Sequence, residues 1–225
     1  MFVSRSLKFL SILESYMSVK VAVLGASSGL GFEVTKVLLG KGMDLWVGSR
    51  KANVVWGSEV DGIVALSADF SKKLDQDSVL DSLNQFQPDF IVYVAGGGPF
   101  GVYSQKQWKD HLWAFEVSFI FPARLMHFVR NKMPCVKRMV IVGSKVAENA
   151  PDPLAASYCA AKHALRGLIT TLEAESGDGR VELFSPGYMD TRMLPPNSFP
   201  RKNNLVLADP KKVAIELVKL LLRDE

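Results

Sequence analysis

Cysteine is scarce in this sequence, with only Cys135 and Cys159 among 225 residues. Their separation matches neither a metal-binding motif nor the dense spacing of a disulfide framework. We therefore expect both to be small, buried, reduced side chains, as in proteins of the cytoplasm. The three histidines, His111, His127 and His163, also lack a ligand-like arrangement, so we expect helix-surface or packing residues and no metal site.

Long apolar runs and blocks of like charge are also missing. No apolar stretch approaches the roughly 20 residues that cross a bilayer, which predicts no membrane span. The 27 basic and 23 acidic residues are interspersed, with a net charge of +4 and no basic tail of the kind that binds nucleic acid. We expect a cytoplasmic protein, with its local basic residues explained by an anionic cofactor.

The first residues form no recognisable targeting signal. In MFVSRSLKFLSILESYMSVK, Lys8 and Glu14 interrupt the apolar stretch, and no small-residue cleavage site follows. Residues 1–18 are interpreted as an N-terminal extension, either an amphipathic helix or a flexible segment, or as the result of a misplaced start, since Met17 directly precedes the first strand. Residues 19–225 are predicted to form a single domain.

Strand and helix patterns alternate along this domain. Six apolar runs are predicted to be strands, at 19–25, 44–49, 62–67, 89–98, 138–144 and 180–187. Helical patterns lie between or after them, at 29–42, 72–86, 105–131, 155–176 and 209–225. The alternation predicts an α/β fold, a Rossmann-like, doubly wound parallel sheet with six main strands. Ligands bind such a sheet beyond the carboxyl ends of its strands.

A glycine-rich turn, GASSGLG at 25–31, follows the first strand and opens the first helix. Gly25 permits a tight turn, while Gly29 and Gly31 allow the backbone to approach a pyrophosphate at the helix N-terminus. A purely structural turn is the alternative. The position between strand and helix favours nucleotide binding.

A second motif, SYCAAKH at 157–163, places Tyr158 four residues before Lys162. On a helix this spacing brings two side chains to one face. Spacing alone is weak, because Tyr16 and Lys20 repeat it at the entrance to the first strand, where helical adjacency fails. Whether Tyr158 and Lys162 are a catalytic pair or a chance spacing therefore depends on the neighbouring motifs.

The ordered motifs resemble those of the classical short-chain dehydrogenase/reductase (SDR) family, from about Val19 to the C-terminus. GASSGLG has the family's G-x-x-x-G-x-G spacing, and Ser144 follows the fifth strand. Tyr158 and Lys162 match its Y-x-x-x-K motif. VAGGG at 94–98 and SPGYMDTRM at 185–193 stand where the family has N-N-A-G and P-G-x-x-x-T.

The resemblance implies catalytic roles for three residues. Tyr158 would be the general acid in carbonyl reduction and the base in alcohol oxidation, and Ser144 would hold the carbonyl; a strand-end turn serine is the alternative. Lys162 would bind the nicotinamide ribose and bias Tyr158 toward phenolate. A charge about 4 Å away at an effective dielectric of about 20 contributes about 4 kcal/mol, which predicts a phenol pKa near working pH.

The cofactor is expected to be NADP(H) rather than NAD(H), because GSRK at 48–51 lacks the acidic residue that accepts from ribose hydroxyls. Arg50 offers a planar fork to a 2′-phosphate, although it and Lys51 would also suit a solvated loop. Asp69 stands at the family's adenine-contacting position, or is a turn aspartate. The expected cofactor contacts are Gly25, Ser27, Ser28, Gly29, Leu30, Gly31, Ser49, Arg50, Asp69, Phe70, Ala95, Gly96, Gly97, Tyr158, Lys162, Pro186, Gly187, Met189 and Thr191.

Two departures from the family pattern bear on function. Tyr93 and Val94 replace the paired asparagines that support the central sheet, so local support must differ. Ser118 stands where the family carries an asparagine assigned to a proton relay, which puts relay efficiency in doubt. The expected function is an NADP(H)-dependent carbonyl reductase or alcohol dehydrogenase, with an NADP(H)-binding sensor or scaffold of little turnover as the alternative.

Substrate and assembly are the remaining expectations. An open pocket for a small or medium apolar carbonyl compound is expected to be lined partly by Pro99, Phe100, Tyr188 and Met193. An acidic substrate would instead use basic residues that otherwise solvate a loop, namely Arg192, Arg201 and Lys202. Aromatic residues are expected to pack the long helix or a homodimer or homotetramer interface, namely Trp108, Trp113, Phe115, Phe119 and Phe121.

Overall fold

The protein forms one six-stranded sheet flanked by helices. The computed structural model describes residues 18–57, 62–145, 152–177 and 179–223, so Tyr16, Met17 and almost all of the N-terminal extension lie outside the described residues. All strand pairs are parallel, in the order β3-β2-β1-β4-β5-β6. The strands are β1 (Lys20–Leu24), β2 (Asp44–Ser49), β3 (Ile63–Ser67), β4 (Phe90–Tyr93), β5 (Arg138–Val142) and β6 (Val181–Phe184).

Eight α-helices are described beside the sheet. Their bounds are α1 (Gly29–Leu39), α2 (Ala52–Trp56), α3 (Lys73–Phe86), α4 (Trp108–Phe115), α5 (Phe121–Lys132), α6 (Ala156–Ser176), α7 (Phe199–Lys202) and α8 (Pro210–Leu221). A 3₁₀ turn (Tyr103–Gln105) precedes α4, and a π-helical turn (Glu116–Ile120) joins α4 to α5. Chain order reverses direction across the sheet between β1 and β4, where a doubly wound fold places its ligand.

Two apolar cores lie on the two faces of the sheet, because successive strand side chains point to opposite sides. In β1, Ala22 and Leu24 join one core, whereas Val21 and Val23 join the other. The first core is covered by α3, α5 and α6, and the second by α1 and α8. The sheet is therefore buried on both sides, as its continuous apolar runs indicate.

The predicted α/β class and six-stranded parallel sheet are confirmed. Predicted boundaries were less accurate: β4 ends at Tyr93 rather than at residue 98, because the following glycines form a loop. The long helix begins at Trp108 rather than residue 105 and contains the π-helical turn. Helices α2 and α7, with five and four residues, were not predicted, because such short segments carry no helical period.

The long helical segment at Trp108–Lys132 is unusually apolar for its length. Among the described residues, Trp108–Lys132 is the one helical segment whose length and composition would allow it to cross a bilayer. Phe121, Leu125 and Val129 of this segment pack into the first core. A core helix of this kind accounts for the composition, and the absence of a membrane span stays a prediction.

Tyr93 replaces the missing asparagine support at the end of β4. Its side chain is fully buried, and its hydroxyl donates to the carbonyl oxygen of Val117 at 2.6 Å. Its ring packs near those of Phe70 and Phe121, with centroid separations of 6.0 Å in both cases. The expectation of different local support is met by a buried bond from β4 to the π-helical turn.

Candidate functional site

The glycine-rich turn after β1 is fixed by close backbone contacts. Gly25 and Gly29 have φ values of 104° and 54°, which other residues rarely adopt. A Cβ atom on Gly25 would lie 2.6 Å from the Ala95 nitrogen, and one on Gly31 would collide with the Gly25 carbonyl oxygen. Only glycine fits this cradle at Gly25 and Gly31 without movement of the backbone.

The start of α1 is open to an anionic group. Ser28 makes no side-chain capping bond there, and the first turn contains no acidic residue. Free N–H groups and the helix dipole favour a phosphate at such an end. Thr191 lies opposite, because a Cβ on Gly29 would stand 3.5 Å from its Cγ2 atom. The segment after β6 thus returns over the turn, and Met189 forms a parallel bridge with Ala208.

The end of β2 presents polar groups beside this turn. Ser49 is buried, and its hydroxyl oxygen has no hydrogen-bond partner among the described residues. Arg50 is exposed, with its guanidinium carbon 5.9 Å from the centroid of the Trp113 ring. An orphaned buried hydroxyl and an available cation fit the polar ribose and phosphate groups of a dinucleotide.

Asp69 follows β3 and lies within the field of Arg50. Burial raises the pKa of the Asp69 carboxyl, but hydrogen bonds from Ser71 and the charges of Arg50 and Lys72 outweigh that effect and leave the pKa lowered. The Ser71 hydroxyl donates to Asp69 Oδ1 at 2.8 Å. Asp69 is therefore an ionised acceptor at the same edge of the sheet.

Two predicted cofactor contacts have side chains that face the core instead. Leu30 and Phe70 are each 4% exposed, and they belong to the second and first cores respectively. The Phe70 ring centroid lies 5.1 Å from that of Phe121. Their side chains therefore pack the core, and only their backbone atoms remain available for a cofactor contact.

Ser144, Tyr158 and Lys162 meet at the carboxyl end of β5. Tyr158 is hydrogen-bonded to the Ser144 side chain. Lys162 is 2% exposed, and its Nζ donates to the Val142 carbonyl oxygen at 2.7 Å. The same Nζ lies 5.7 Å from the centroid of the Tyr158 ring. Strand β5 and helix α6 thus bring the three predicted catalytic residues together.

Burial dominates the protonation of this pair. Burial raises the pKa of Tyr158 to about 12, although the hydrogen bond with Ser144 lowers it. Burial also lowers the pKa of Lys162 to about 8, because a buried ammonium loses hydration. The expectation that Lys162 brings the phenol near working pH is wrong for this structure, since burial disfavours the phenolate and is the largest influence on the pKa of Tyr158. With a pKa of about 8, Lys162 remains mostly protonated at neutral pH.

The glycines after β4 allow the loop at 96–98 to approach Lys162 and Tyr158 closely. A Cβ on Gly96 would lie 3.3 Å from Lys162 Nζ, and one on Gly98 would lie 3.0 Å from the Tyr158 Cβ. Gly97 is held by Ser118, whose Oγ accepts from the Gly97 nitrogen and donates to its oxygen, both at 3.1 Å. Ser118 therefore fixes the loop beside Lys162.

His111 is a supporting residue that the sequence placed only as a surface or packing histidine. It is 4% exposed, and its Nδ1 lies 2.6 Å from the Ser157 hydroxyl, directly before Tyr158. Its Nε2 lies 3.1 Å from the Tyr103 carbonyl oxygen. His111 therefore ties α4 to the start of α6. Within the described residues no group of three His, Cys, Asp or Glu side chains is placed to hold a metal ion.

Asp152 is a second residue that the sequence did not single out. Its carboxyl is hydrogen-bonded to the Tyr188 side chain, which lies after β6. Burial raises the pKa of Asp152, and the bond from Tyr188 only partly offsets this. The segment PDPL gives no signal beyond a turn, because the contact joins loops that are distant in the sequence.

Other features lie apart from these residues. The guanidinium of Arg201 donates to Asp190 at 2.7 Å and to the Leu194 carbonyl oxygen at 3.2 Å, so it holds its own loop. Surface clefts of about 370 and 450 Å³ lie beside Val181 and beside Val19, and their linings share no residue with the site above. Neither cleft includes a residue of the predicted site.

Comparison with known proteins identifies the family. The sequence model described as short chain dehydrogenase matches residues 20–200. The chain belongs to the short-chain dehydrogenase family. The match covers all six strands and the Tyr158 and Lys162 positions, so it confirms the resemblance that the sequence motifs indicated.

Individual relatives within the short-chain dehydrogenase family are distant. The cyclic-di-GMP-binding biofilm dispersal mediator protein of Escherichia coli (strain K12) is 27% identical over 183 residues, which are 79% of this chain and 76% of that protein. A short chain dehydrogenase from Burkholderia cenocepacia J2315, solved with NADP, has a TM-score of 0.78 and 20% identity over 90% of each chain.

A further solved structure is 4-hydroxyisoleucine dehydrogenase complexed with NADH. It has a TM-score of 0.79 and 20% identity, with 92% of each chain covered. At such identities the two structures show that this chain shares the short-chain dehydrogenase fold, and they show nothing further about its ligand.

Proposed function

We propose that this protein is an oxidoreductase that transfers hydride between NADP(H) and a small or medium carbonyl or alcohol substrate. The observation that carries the proposal is the meeting of Ser144, Tyr158 and Lys162 beside the glycine loop at 96–98. Perturbed pKa values at the end of a parallel sheet are typical of a reacting site. Family membership supports the same chemistry.

Tyr158 is the proposed general acid in the reductive direction. Because its pKa is raised to about 12, its phenol holds a proton at neutral pH and can give it to the substrate carbonyl oxygen as the O–H bond forms. Ser144 holds that oxygen, and the lysine ammonium offsets the phenolate that remains. The bound nicotinamide supplies the hydride. In oxidation Tyr158 takes the proton back.

NADP(H) is the proposed cofactor, in preference to NAD(H). The glycine turn and the open start of α1 suit a pyrophosphate, and Arg50 suits a 2′-phosphate. Asp69, with its lowered pKa, is an acceptor for the adenine or its ribose. Lys162 is the proposed donor to the ribose hydroxyls, which is supported by its position beside Gly96.

The test is a screen of carbonyl compounds and alcohols with both nicotinamide cofactors, using the native protein and Tyr158→Phe. Loss of the phenolic proton should lower the rate with any accepted substrate by about 10² to 10⁴. Cofactor affinity and thermal stability should change little, because the ring remains. Normal turnover by Tyr158→Phe would overturn the assignment of the general acid.

A nucleotide-responsive sensor with little turnover is the second candidate. Two observations favour it: Ser118 replaces the relay asparagine and is engaged with Gly97, and one relative is named for cyclic-di-GMP binding. Tight NADPH binding without hydride exchange across the screen would support this candidate. Calorimetric titration with NADPH and with cyclic-di-GMP separates the two nucleotides, and rapid NADPH oxidation by any carbonyl compound discards the sensor.

The protein is also proposed to be a cytoplasmic homodimer or homotetramer. Three large side chains of the long helical segment remain exposed, namely Trp108, Leu112 and Ile120. Exposed large apolar side chains are one feature of surfaces that contact another subunit. Light scattering coupled to gel filtration measures the assembly, and a monomer at all concentrations would contradict this assignment.

A further inference from the structure

Asp152 combines deep burial with an unused hydrogen-bonding atom. Its residue exposure is 9%, and its Oδ1 has no hydrogen-bond partner among the described residues. Of the side chains that the structure describes, Tyr188 is the one that hydrogen-bonds the Asp152 carboxyl. A carboxylate accepts at about four lone-pair sites, so one phenol leaves most of this capacity unfilled.

Asp152 lies just before the start of α6, the helix that carries Tyr158. Burial chiefly raises the pKa of Tyr158, and the charges of Cys159 and Asp152 add to the rise. The Asp152 backbone also participates locally, since its carbonyl oxygen accepts from Ala155 N at 3.2 Å at the start of α6. The Cys159 thiol lies 3.9 Å from the same carbonyl oxygen, so the backbone of Asp152 is held at the end of α6 that carries Tyr158.

A structural role alone does not explain this carboxyl. A buried carboxylate stabilises a fold when it is paired with a cation or fully hydrogen-bonded, and otherwise it is destabilising. Here burial raises the pKa of Asp152, and within the described part of the chain the Tyr188 hydrogen bond, not a cation, is what lowers it. The fold thus keeps an acceptor at the site against its own stability, which is typical of residues that bind a ligand.

We propose that Asp152, oriented by Tyr188, is a substrate-recognition residue that accepts a hydrogen bond from a donor group next to the substrate carbonyl. The inference rests on the proposed function, because it places a carbonyl oxygen at Ser144 and Tyr158. The simplest such donor is a hydroxyl, so the substrate class is a hydroxy-carbonyl compound, or a diol in the oxidative direction. This assignment replaces the purely apolar substrate expected from Tyr188 and its neighbours.

We expect this selectivity because leaving a buried carboxylate without a hydrogen bond costs more free energy than a typical hydrogen bond contributes. A donor satisfies Oδ1, whereas a methyl group of similar size leaves the carboxylate buried and unpaired. An anionic group at the same position would be repelled by the carboxylate. We therefore expect discrimination against both apolar and acidic analogues.

The test compares ketones that differ at one group. Hydroxyacetone and butanone exchange a hydroxyl for a methyl, aminoacetone carries an ammonium and pyruvate a carboxylate. For the native protein we expect kcat/KM to favour hydroxyacetone over butanone by about 10- to 100-fold, the size of a hydrogen bond to a charged acceptor. In Asp152→Leu this ratio should fall to near one, with butanone turned over as well as before or better.

Controls separate recognition from folding and from the proposed function. Asp81→Asn, on the exposed side of α3, should keep the native ratio. Asp152→Leu and Asp152→Asn should unfold at the native temperature or above it. Calorimetric titration of the same ketones into NADPH-loaded Tyr158→Phe measures the preference without turnover, so a protein inactive on every compound removes the proposed function but still tests Asp152.

Each outcome decides the matter. A preference for hydroxyacetone or aminoacetone that disappears in Asp152→Leu supports the proposal and identifies the donor as hydroxyl or ammonium. Equal use of hydroxyacetone and butanone by the native protein, or a preference that survives in Asp152→Leu, overturns it. A preference for pyruvate overturns it as well.

Discussion

The two ends of the site are built on opposite principles. At the nucleotide end, the turn at 25–31 is shaped by missing side chains, because a Cβ at Gly25 or Gly31 would collide with the backbone. At the reacting end, buried polar side chains are held in an apolar setting, and burial shifts the pKa values of Tyr158 and Lys162. The nucleotide end is thus defined by the shape of its backbone. The reacting end is defined by the free-energy cost of burying ionisable side chains.

This difference predicts different responses to mutation. Substitutions at the nucleotide end should change cofactor affinity and stability together, because the proposed cofactor contact is made by the backbone itself. Substitutions at the reacting end should change protonation and rate while the sheet remains intact.

Lys162→Met should reveal the energy stored at the reacting end. In the folded protein the pKa of Lys162 is lowered to about 8 from 10.5, so between these values the unfolded chain binds a proton that the folded chain does not. The native protein should therefore gain about 3 kcal/mol relative to Lys162→Met as the pH rises from about 8 to about 10.5. Below pH 8 the difference between them should be constant. Urea unfolding across this range, without cofactor, measures it.

Arg50→Ala should separate the two nicotinamide cofactors. Loss of a charge-assisted contact to the 2′-phosphate should weaken NADPH by about 10- to 100-fold, and NADH by far less. Lys51→Ala is the matched control, because Lys51 is an exposed cation next in sequence. Fluorescence titration with both cofactors measures the ratio. Equal losses for NADPH and NADH would indicate that Arg50 only supports the loop over Trp113.

Gly31→Ala should break the nucleotide end alone. The added methyl would meet the Gly25 carbonyl oxygen, so we expect about 1 to 3 kcal/mol of lost unfolding free energy together with weaker NADPH binding. Gly167→Ala is the matched control, because it lies in α6 with nothing within 4 Å of the added methyl. That variant should gain up to about 1 kcal/mol from helix propensity. Thermal unfolding of both variants measures the expected loss of stability in Gly31→Ala and the expected gain in Gly167→Ala.

Ser118→Ala tests the boundary between the two ends. It removes both hydrogen bonds with Gly97, and the expected loss is about 1 kcal/mol of unfolding free energy. Gly97 lies next to Gly96, which borders Lys162, so a small fall in NADPH affinity should accompany it. Ser118→Thr keeps the hydroxyl and is expected to retain most of the affinity. If Ser118→Ala bound NADPH with native affinity, the loop at 96–98 would not depend on Ser118 for its conformation.

Much of this arrangement is predictable from the sequence because it is local. The glycine turn and the spacing of Tyr158 and Lys162 each lie within one short segment, and each strand or helix is indicated by the period of its own segment. The parallel sheet then brings the residues at the carboxyl ends of its strands together. The protonation of Tyr158 was predicted in the wrong direction, because an estimate from one charge omits burial. Burial depends on the whole fold.

Contacts between distant loops could not be predicted. The pairing of Asp152 with Tyr188 joins the segment before α6 to the segment after β6. The bond from Tyr93 to Val117 and the contact of His111 with Ser157 likewise join separate elements. Each requires the relative placement of two helices or loops, which neither hydrophobic period nor motif spacing specifies.

The π-helical turn at Glu116–Ile120 changes the phase of one continuous helix. An α-helix rotates by about 100° per residue, so one extra residue within a turn redirects every side chain beyond it by that angle. Before the turn, Trp113 borders the glycine loop at Gly97, and after it Phe121 enters the core. The same helical segment therefore contacts both the glycine loop and the first core. In a regular α-helix of the same length, Trp113 and Phe121 would point in different relative directions.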